Sequence, residues 1–186
     1  NNIEHILEYC KNNEINIIFN NFQSSTLLND NKDFDKYITK SILDTSRVLS
    51  FLINNNVKIN KLIYTSSSSV YGNNKFCSES DQVKPMSLQG SLKVSNEELI
   101  KRFCSTHNIN YTITRVFNMY GGDDKFSIIS KIKDSCLNTN VLNIINGGMA
   151  IRDYIHIDDV VSVYIVLIND AEESQSIINI ESGKGT

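Results

Sequence analysis

Apolar runs of strand length alternate along this chain with stretches of helical period, and no other feature constrains the fold as much. Strands separated by helices pair in parallel, with the helices crossing over the faces of the sheet. The runs at 15–19, 62–66, 111–115, 141–145 and 177–180 predict strands. Helical spacing covers 34–54, 87–107, 127–138 and 157–169. The second of these helices has a recognisable entry just after Pro85, with Ser87 placed to accept from its exposed amides and Glu97 and Glu98 on later turns. The pattern is that of an α/β chain with a doubly wound parallel sheet. No repeat or low-complexity tail interrupts it, and Asn-rich patches such as 54–56 read as loops.

The chain has 186 residues, 40% of them hydrophobic, enough for one sizeable core in a single domain, and no run approaches the ~18 to 20 apolar residues of a membrane span. The net charge of −3 comes without a basic stripe, which argues against a nucleic-acid partner. Cys10, Cys77, Cys104 and Cys136 are widely spaced, with no CxxC pair and no histidine at ligand spacing. They read as buried or half-buried free thiols of a reducing, cytoplasmic setting, and no metal site is expected. No signal pattern opens the sequence at Asn1, so the sequon at Asn110 is taken as chance.

Four blocks carry the chemistry. The run 62–72 is an apolar strand emptying into the hydroxyls Thr65 to Ser69 and then Val70-Tyr71-Gly72, at the carboxyl end where parallel sheets hold ligands. The segment 85–93, Pro-Met-Ser-Leu-Gln-Gly-Ser-Leu-Lys, follows about twenty residues on. Arg115-Val116-Phe117-Asn118-Met119-Tyr120-Gly121 and Arg152-Asp153-Tyr154-Ile155-His156-Ile157-Asp158-Asp159 complete the set. In order and spacing these blocks, spread from about residue 15 to the end, resemble the extended short-chain dehydrogenase/reductase family, in particular its NAD-dependent nucleotide-sugar epimerases and dehydratases.

The resemblance implies a Rossmann-like fold, NAD or NADP as cofactor and a nucleoside-diphosphate sugar as substrate. It makes Ser67 the catalytic hydroxyl that hydrogen-bonds the sugar, and Lys93 the lysine that lowers the pKa of a tyrosine four residues earlier on the same helix face. Gln89 occupies that tyrosine's place. A carboxamide exchanges no proton near neutral pH, and losing a general base typically slows a reaction by ~10²- to 10⁴-fold. Tyr71 and Tyr120 are other phenols near the site, but neither stands in the four-residue relation to Lys93.

Further departures lie on the cofactor side. Ser41, followed by Ile42 and Thr45, falls on the family's asparagine, and Phe22 and Gln23 fall on a small pair that lies against the dinucleotide. The first glycine is Gly72, so no glycine-rich turn precedes it, and a glycine-rich run, 182–186, follows the last strand. The expectation is a fragment of one Rossmann-like domain, lacking the amino-terminal glycine-rich strand-turn-helix and the carboxyl-terminal remainder. On the sugar-nucleotide side the resemblance assigns Asn118 to the nucleotide sugar and Arg152 to its diphosphate.

Blander readings stand beside these. Lys93 could be a solvated charge paired with Glu97, and Arg152 could pair with Asp153 or Asp158. His156, Asp158 and Asp159 open and cap the helix that follows. His5 and His107 are surface or helix-end residues, and Phe117 and Tyr154 belong to the core. Three functional outcomes remain: a redox-impaired portion of an epimerase or dehydratase, a pseudoenzyme that binds nucleotide sugars or partners an active paralogue, or a decayed product. The family's dimerisation through the helices over 34–54 and 87–107 makes a homodimer or heterodimer an analogy.

Overall fold

The structure is a computed structural model that describes residues 2–21, 33–74, 76–138, 141–170 and 175–186. A four-stranded parallel sheet forms its centre, in the order β1 (Ile15–Phe19), β2 (Ile59–Ser67), β3 (Asn110–Val116), β6 (Gln175–Ile180). Adjacent strands run in parallel register, with Tyr64 opposite Phe19 and Ile113, and Ile113 opposite Ile177. Four of the five expected strands are therefore present.

Strand residues alternate between faces, and the alternation in β2 divides the core in two. Leu62 and Tyr64 pack with Ile113 against Leu49 of α3 (Asp44–Asn54) and against Ile100 and Cys104 of α4 (Leu88–His107). Ile63 faces the other way, packing with Val116 and Ile180 against Val160, Tyr164 and Leu167 of α6 (Ile157–Asn169). With both faces covered, the sheet is doubly wound, as the apolar strand runs require. Helix α4 starts as expected: the Ser87 hydroxyl accepts from the Gly90 amide at 3.1 Å. It ends on Asn108 in the left-handed conformation, whose N–H reaches Cys104 O. His156 caps α6 by accepting from the Asp158 amide at 3.2 Å, with two aspartates in the first turn. The far end of α6 is met by buried Lys61, whose Nζ donates to Leu167 O and Asp170 O.

Three elements differ from expectation. The apolar run 141–145 is not a strand: it has no regular structure until a 3-10 turn at Ile145–Gly148, and Val141 and Ile144 are exposed. Strand propensity expresses itself only against a neighbour that accepts the ladder, and no described strand pairs with this run. A second, two-stranded parallel sheet instead joins β4 (Asn118–Tyr120) to β5 (Tyr154–His156), elements too short to show a period. The helix expected over 34–54 is interrupted: α2 (Phe34–Ile38) passes through a π-helical turn, Thr39–Leu43, into α3.

Helix α1 (Asn2–Asn12) was not anticipated, and α5 (Ile128–Asn138) starts one residue after Ser127, which accepts from the Ser130 amide. The run 182–186 also has a structural role, since Thr186 and Arg152 exchange main-chain hydrogen bonds and Gly185 bridges Asp153. Among the described residues no helix is long and apolar enough to cross a membrane, and no cluster of side chains suits a metal ion. Of the cysteines, Cys104 is buried and Cys10 and Cys77 are half-buried, but Cys136 is exposed, contrary to its reading as a covered thiol.

Candidate active site

Positions four apart on a helix share a face, and on α4 this aligns Gln89, Lys93 and Glu97 toward the carboxyl end of β2. The close approach is permitted by Gly90: a Cβ there would lie 2.5 Å from the carbonyl oxygen of Ser69. Lys93 is not the solvated partner of Glu97. It is 8% exposed, and its Nζ donates to Thr65 O at 2.7 Å and to Asn21 O at 3.0 Å while lying 5.1 Å from the centre of the Tyr64 ring. Glu97 is paired elsewhere. Its carboxylate receives Nε and Nη2 of Arg115 at 3.1 and 2.8 Å and the Ser66 hydroxyl. Arg115 also donates to the Tyr71 hydroxyl at 2.9 Å, and Tyr71 in turn donates to Asn179 of β6 at 2.7 Å.

One helix face thus fixes Thr65 and Ser66, the two residues ahead of Ser67. Ser67 ends β2 half-buried, and its hydroxyl accepts from the Ser69 amide at 3.2 Å, opening the 3-10 turn Ser68–Tyr71. Gln89 stands half-buried on the first turn of α4, and its carboxamide makes no hydrogen bond among the described residues. Burial pushes the Tyr71 phenol up, opposed by its bond from Arg115, and burial raises that of Tyr64 further still. Tyr120 lies on the second sheet, edge-on to His156.

Ser41 sits at the π-helical turn, 4% exposed, and its hydroxyl accepts from Nδ2 of Asn96 at 2.9 Å. Such turns leave carbonyls without their helical partners. Here Asn21 serves them, its Nδ2 donating to Lys40 O and Ser41 O while its own main-chain oxygen receives Lys93. Sequence reasoning missed Asn21, Asn96, Glu97 and Arg115 as parts of the site. The i+4 relation of Glu97 to Lys93 was the available signal, and it suggested only a bland surface pairing with Lys93.

Lys93 gives a pH dependence of stability. Burial lowers its pKa to about 8, with Glu97 opposing, whereas an unfolded lysine titrates near ~10.4. Between those values the unfolded chain holds more protons than the folded one, so this residue makes stability rise with pH from about 8 upward and withdraws that gain as pH falls through about 8. Urea unfolding across pH 7.5–10.5, roughly the window those values define, should show a steeper rise for the wild type than for Lys93→Met. Parallel curves would rule the assignment out.

Asn118 and Arg152 come together around Asp153. The main-chain oxygen of Asp153 accepts both the Asn118 amide and its side-chain Nδ2, each at 3.1 Å. Arg152 is exposed and donates Nη1 to Ile151 O at 2.8 Å, pairing with neither Asp153 nor Asp158. Asp153 is engaged by the turn at 182–184, and Asp158 lies 3.4 Å from Nδ1 of His156. Among the described residues the other guanidinium donors of Arg152 and Oδ1 of Asn118 meet no partner side chain, leaving a donor fork and an acceptor that suit an anion and a hydroxyl.

The fit of a nicotinamide dinucleotide rests on fewer groups. Two main-chain carbonyls hold Lys93, and the first glycine of the given sequence is Gly72. Phe22 and Gln23, expected to crowd the cofactor, lie outside the described residues.

Comparison with known proteins adds four findings. A family model described as the NAD dependent epimerase/dehydratase family matches residues 1–180. Protein CapI of Staphylococcus aureus is 32% identical over 137 residues, covering 71% of this chain and 40% of that protein. A putative UDP-glucose 4-epimerase of Methanocaldococcus jannaschii is 30% identical over 153 residues, covering 78% and 48%. The chain spans about half the length of these curated relatives. A solved UDP-glucuronic acid 4-epimerase from Bacillus cereus, in complex with UDP-glucuronic acid and NAD, superposes with a TM-score of 0.77 at 26% identity, over 87% of this chain and 57% of that one.

Proposed function

The chain belongs to the NAD dependent epimerase/dehydratase family, and from that premise we propose that it binds a nucleoside-diphosphate sugar while being severely impaired in the oxidation its relatives' names imply. The observation that carries this is Gln89. It stands one turn ahead of Lys93 at the serine turn, where a proton acceptor is required, and neither nearby buried phenol is placed to ionise in its stead.

On this reading Ser67 and Asn118 address sugar hydroxyls and Arg152 the diphosphate. Lys93 braces the end of β2 through Thr65 O, where in the family it would also meet the cofactor. NAD is what the family implies, and the engagement of Lys93 by two carbonyls together with Ser41 at the asparagine position supports weak retention of it here. An apolar row along α2 and α3, with Phe34, Ile38, Val48 and Phe51 exposed, supports a dimer partner on that face.

Calorimetry with UDP-glucose and UDP-glucuronic acid, alongside sedimentation of the same samples, tests the binding reading. Binding that weakens but stays measurable in Arg152→Ala is expected, and no heat with either sugar nucleotide would sink it. For the chemistry, Gln89→Tyr should leave NADH formation at background, because Ser41 and the engaged Lys93 are unchanged. A rise of the ~10²- to 10⁴-fold that a restored general base supplies would overturn the claim that the loss extends beyond Gln89.

A further inference from the structure

The carboxylate of Asp153 is almost fully occupied, by two main-chain amides and a hydroxyl rather than by a cation. Oδ1 accepts the Ser182 amide at 2.8 Å and the Ser182 hydroxyl at 3.0 Å, and Oδ2 accepts the Lys184 amide at 2.9 Å. The residue's main-chain oxygen holds both nitrogens of Asn118. Its neighbour Arg152 is bound through N–H and C=O to Thr186, at 2.9 and 2.8 Å, on the far side of the same turn. Asp153 thus ties Asn118 of β4 and the approach to β5 to the turn at 182–184 that follows β6, alongside the β4–β5 ladder, the Arg152–Thr186 pair and the bond from Phe117 N to Ile180 O.

This junction is built for one rotamer with two acceptor oxygens. Gly183 adopts φ +73 with open space around it, which lets the Ser182 and Lys184 amides converge on one carboxylate, and a Cβ on Gly185 would come within 2.7 Å of Ile151. An isosteric carboxamide cannot reproduce it, because one of its two ends is a donor facing donors.

We infer that Asp153 is a positioning residue for nucleotide-sugar recognition, holding Asn118 and Arg152 in one mutual geometry through its main chain while its carboxylate anchors that main chain to the 182–184 turn. It touches no ligand itself. The inference rests on the nucleotide-sugar reading above, and it adds that recognition fails when Asp153 is changed even though both contact residues remain.

The test is a double-mutant cycle read by calorimetry with UDP-glucose, using wild type, Asp153→Asn, Arg152→Ala and the double variant of the full chain. Asp153→Asn should weaken binding about tenfold in the wild-type background and clearly less once Arg152 is gone, since the part acting through Arg152 is lost with it while the part acting through Asn118 remains. Equal effects in both backgrounds would overturn the proposal and leave the nucleotide-sugar reading standing. Absence of UDP-glucose binding by the wild type would overturn both. A ligand-free arm separates them: amide exchange of Ser182 and Lys184 should quicken at least tenfold in Asp153→Asn, and unchanged protection would overturn the proposal whatever the ligand does. Ser182→Ala, which removes one of the three bonds and keeps the amide, is the control expected to change affinity less than about twofold.

Discussion

Arg115→Met should destabilise the chain by ~3 to 5 kcal/mol, the usual consequence of leaving one member of a buried ion pair without its partner. Both charges are nearly sealed from water, with side chains 3% and 2% exposed for Arg115 and Glu97, so solvent cannot re-pair the carboxylate. The lost guanidinium also releases the Tyr71 hydroxyl and its 4.8 Å stacking on that ring. Replacing both partners behaves differently. Glu97→Met with Arg115→Met removes the uncompensated charge, and removing a whole buried pair is often close to neutral, so the double variant should recover much of the loss despite the orphaned Ser66 hydroxyl. Urea unfolding of the two single variants and the double supplies the comparison. A single-variant loss below about 1 kcal/mol, or a double variant as unstable as the sum of the singles, would show that the pair is not organised as a coupled unit.

That pair also shows where the sequence stopped being legible. The order of strands and helices could be read because each long element repeats its pattern: Ile15–Phe19 was placed to the residue, and the Ser87 cap and the helix after His156 followed from local chemistry alone. The resemblance of the motif blocks pointed to Ser67, Lys93 and Gln89, which lie within one strand and one helix and so stand near one another along the chain. What reading along the chain could not supply was the partner of each buried charge. Glu97 is four residues from Lys93 and eighteen from Arg115, and helical spacing favours the nearer cation; the tertiary fold chose the farther one because β3 enters beside β2 with Arg115 opposite Ser66. The π-helical turn at Ser41 was hidden for a related reason. Its stability comes from Asn21, which is distant in sequence and arrives only at the end of β1. The run 141–145 failed the opposite way, having strand composition and no strand to pair with.

The glycine of Val70-Tyr71-Gly72 was legible as a motif, and the structure supplies its cause. Gly72 adopts φ +68 and ψ −124 at the close of the serine turn, a region that side chains other than hydrogen disfavour by ~1 to 3 kcal/mol. A Cβ there would also stand 2.2 Å from the carbonyl oxygen of Lys84. That carbonyl cannot yield freely, because the Lys84 amide donates to Val70 O at 2.9 Å and so ties the 84–86 segment to the turn it would have to leave. Gly72→Ala should therefore cost about 3 kcal/mol or more, strain and overpacking acting together. Gly90→Ala is the informative contrast. Its Cβ meets Ser69 O at 2.5 Å, but its helical position gains up to ~1 kcal/mol of propensity from alanine, so the net loss should be smaller. Because Gly90 sets the distance between Gln89 and the serine turn, that variant should weaken UDP-glucose binding while leaving most of the fold's stability, whereas Gly72→Ala should lower both. Unfolding and calorimetry on the two variants separate the cases, and a Gly72→Ala chain within about 1 kcal/mol of wild type would mean that the turn, and the placement of Ser67 that depends on it, is looser than its contacts require.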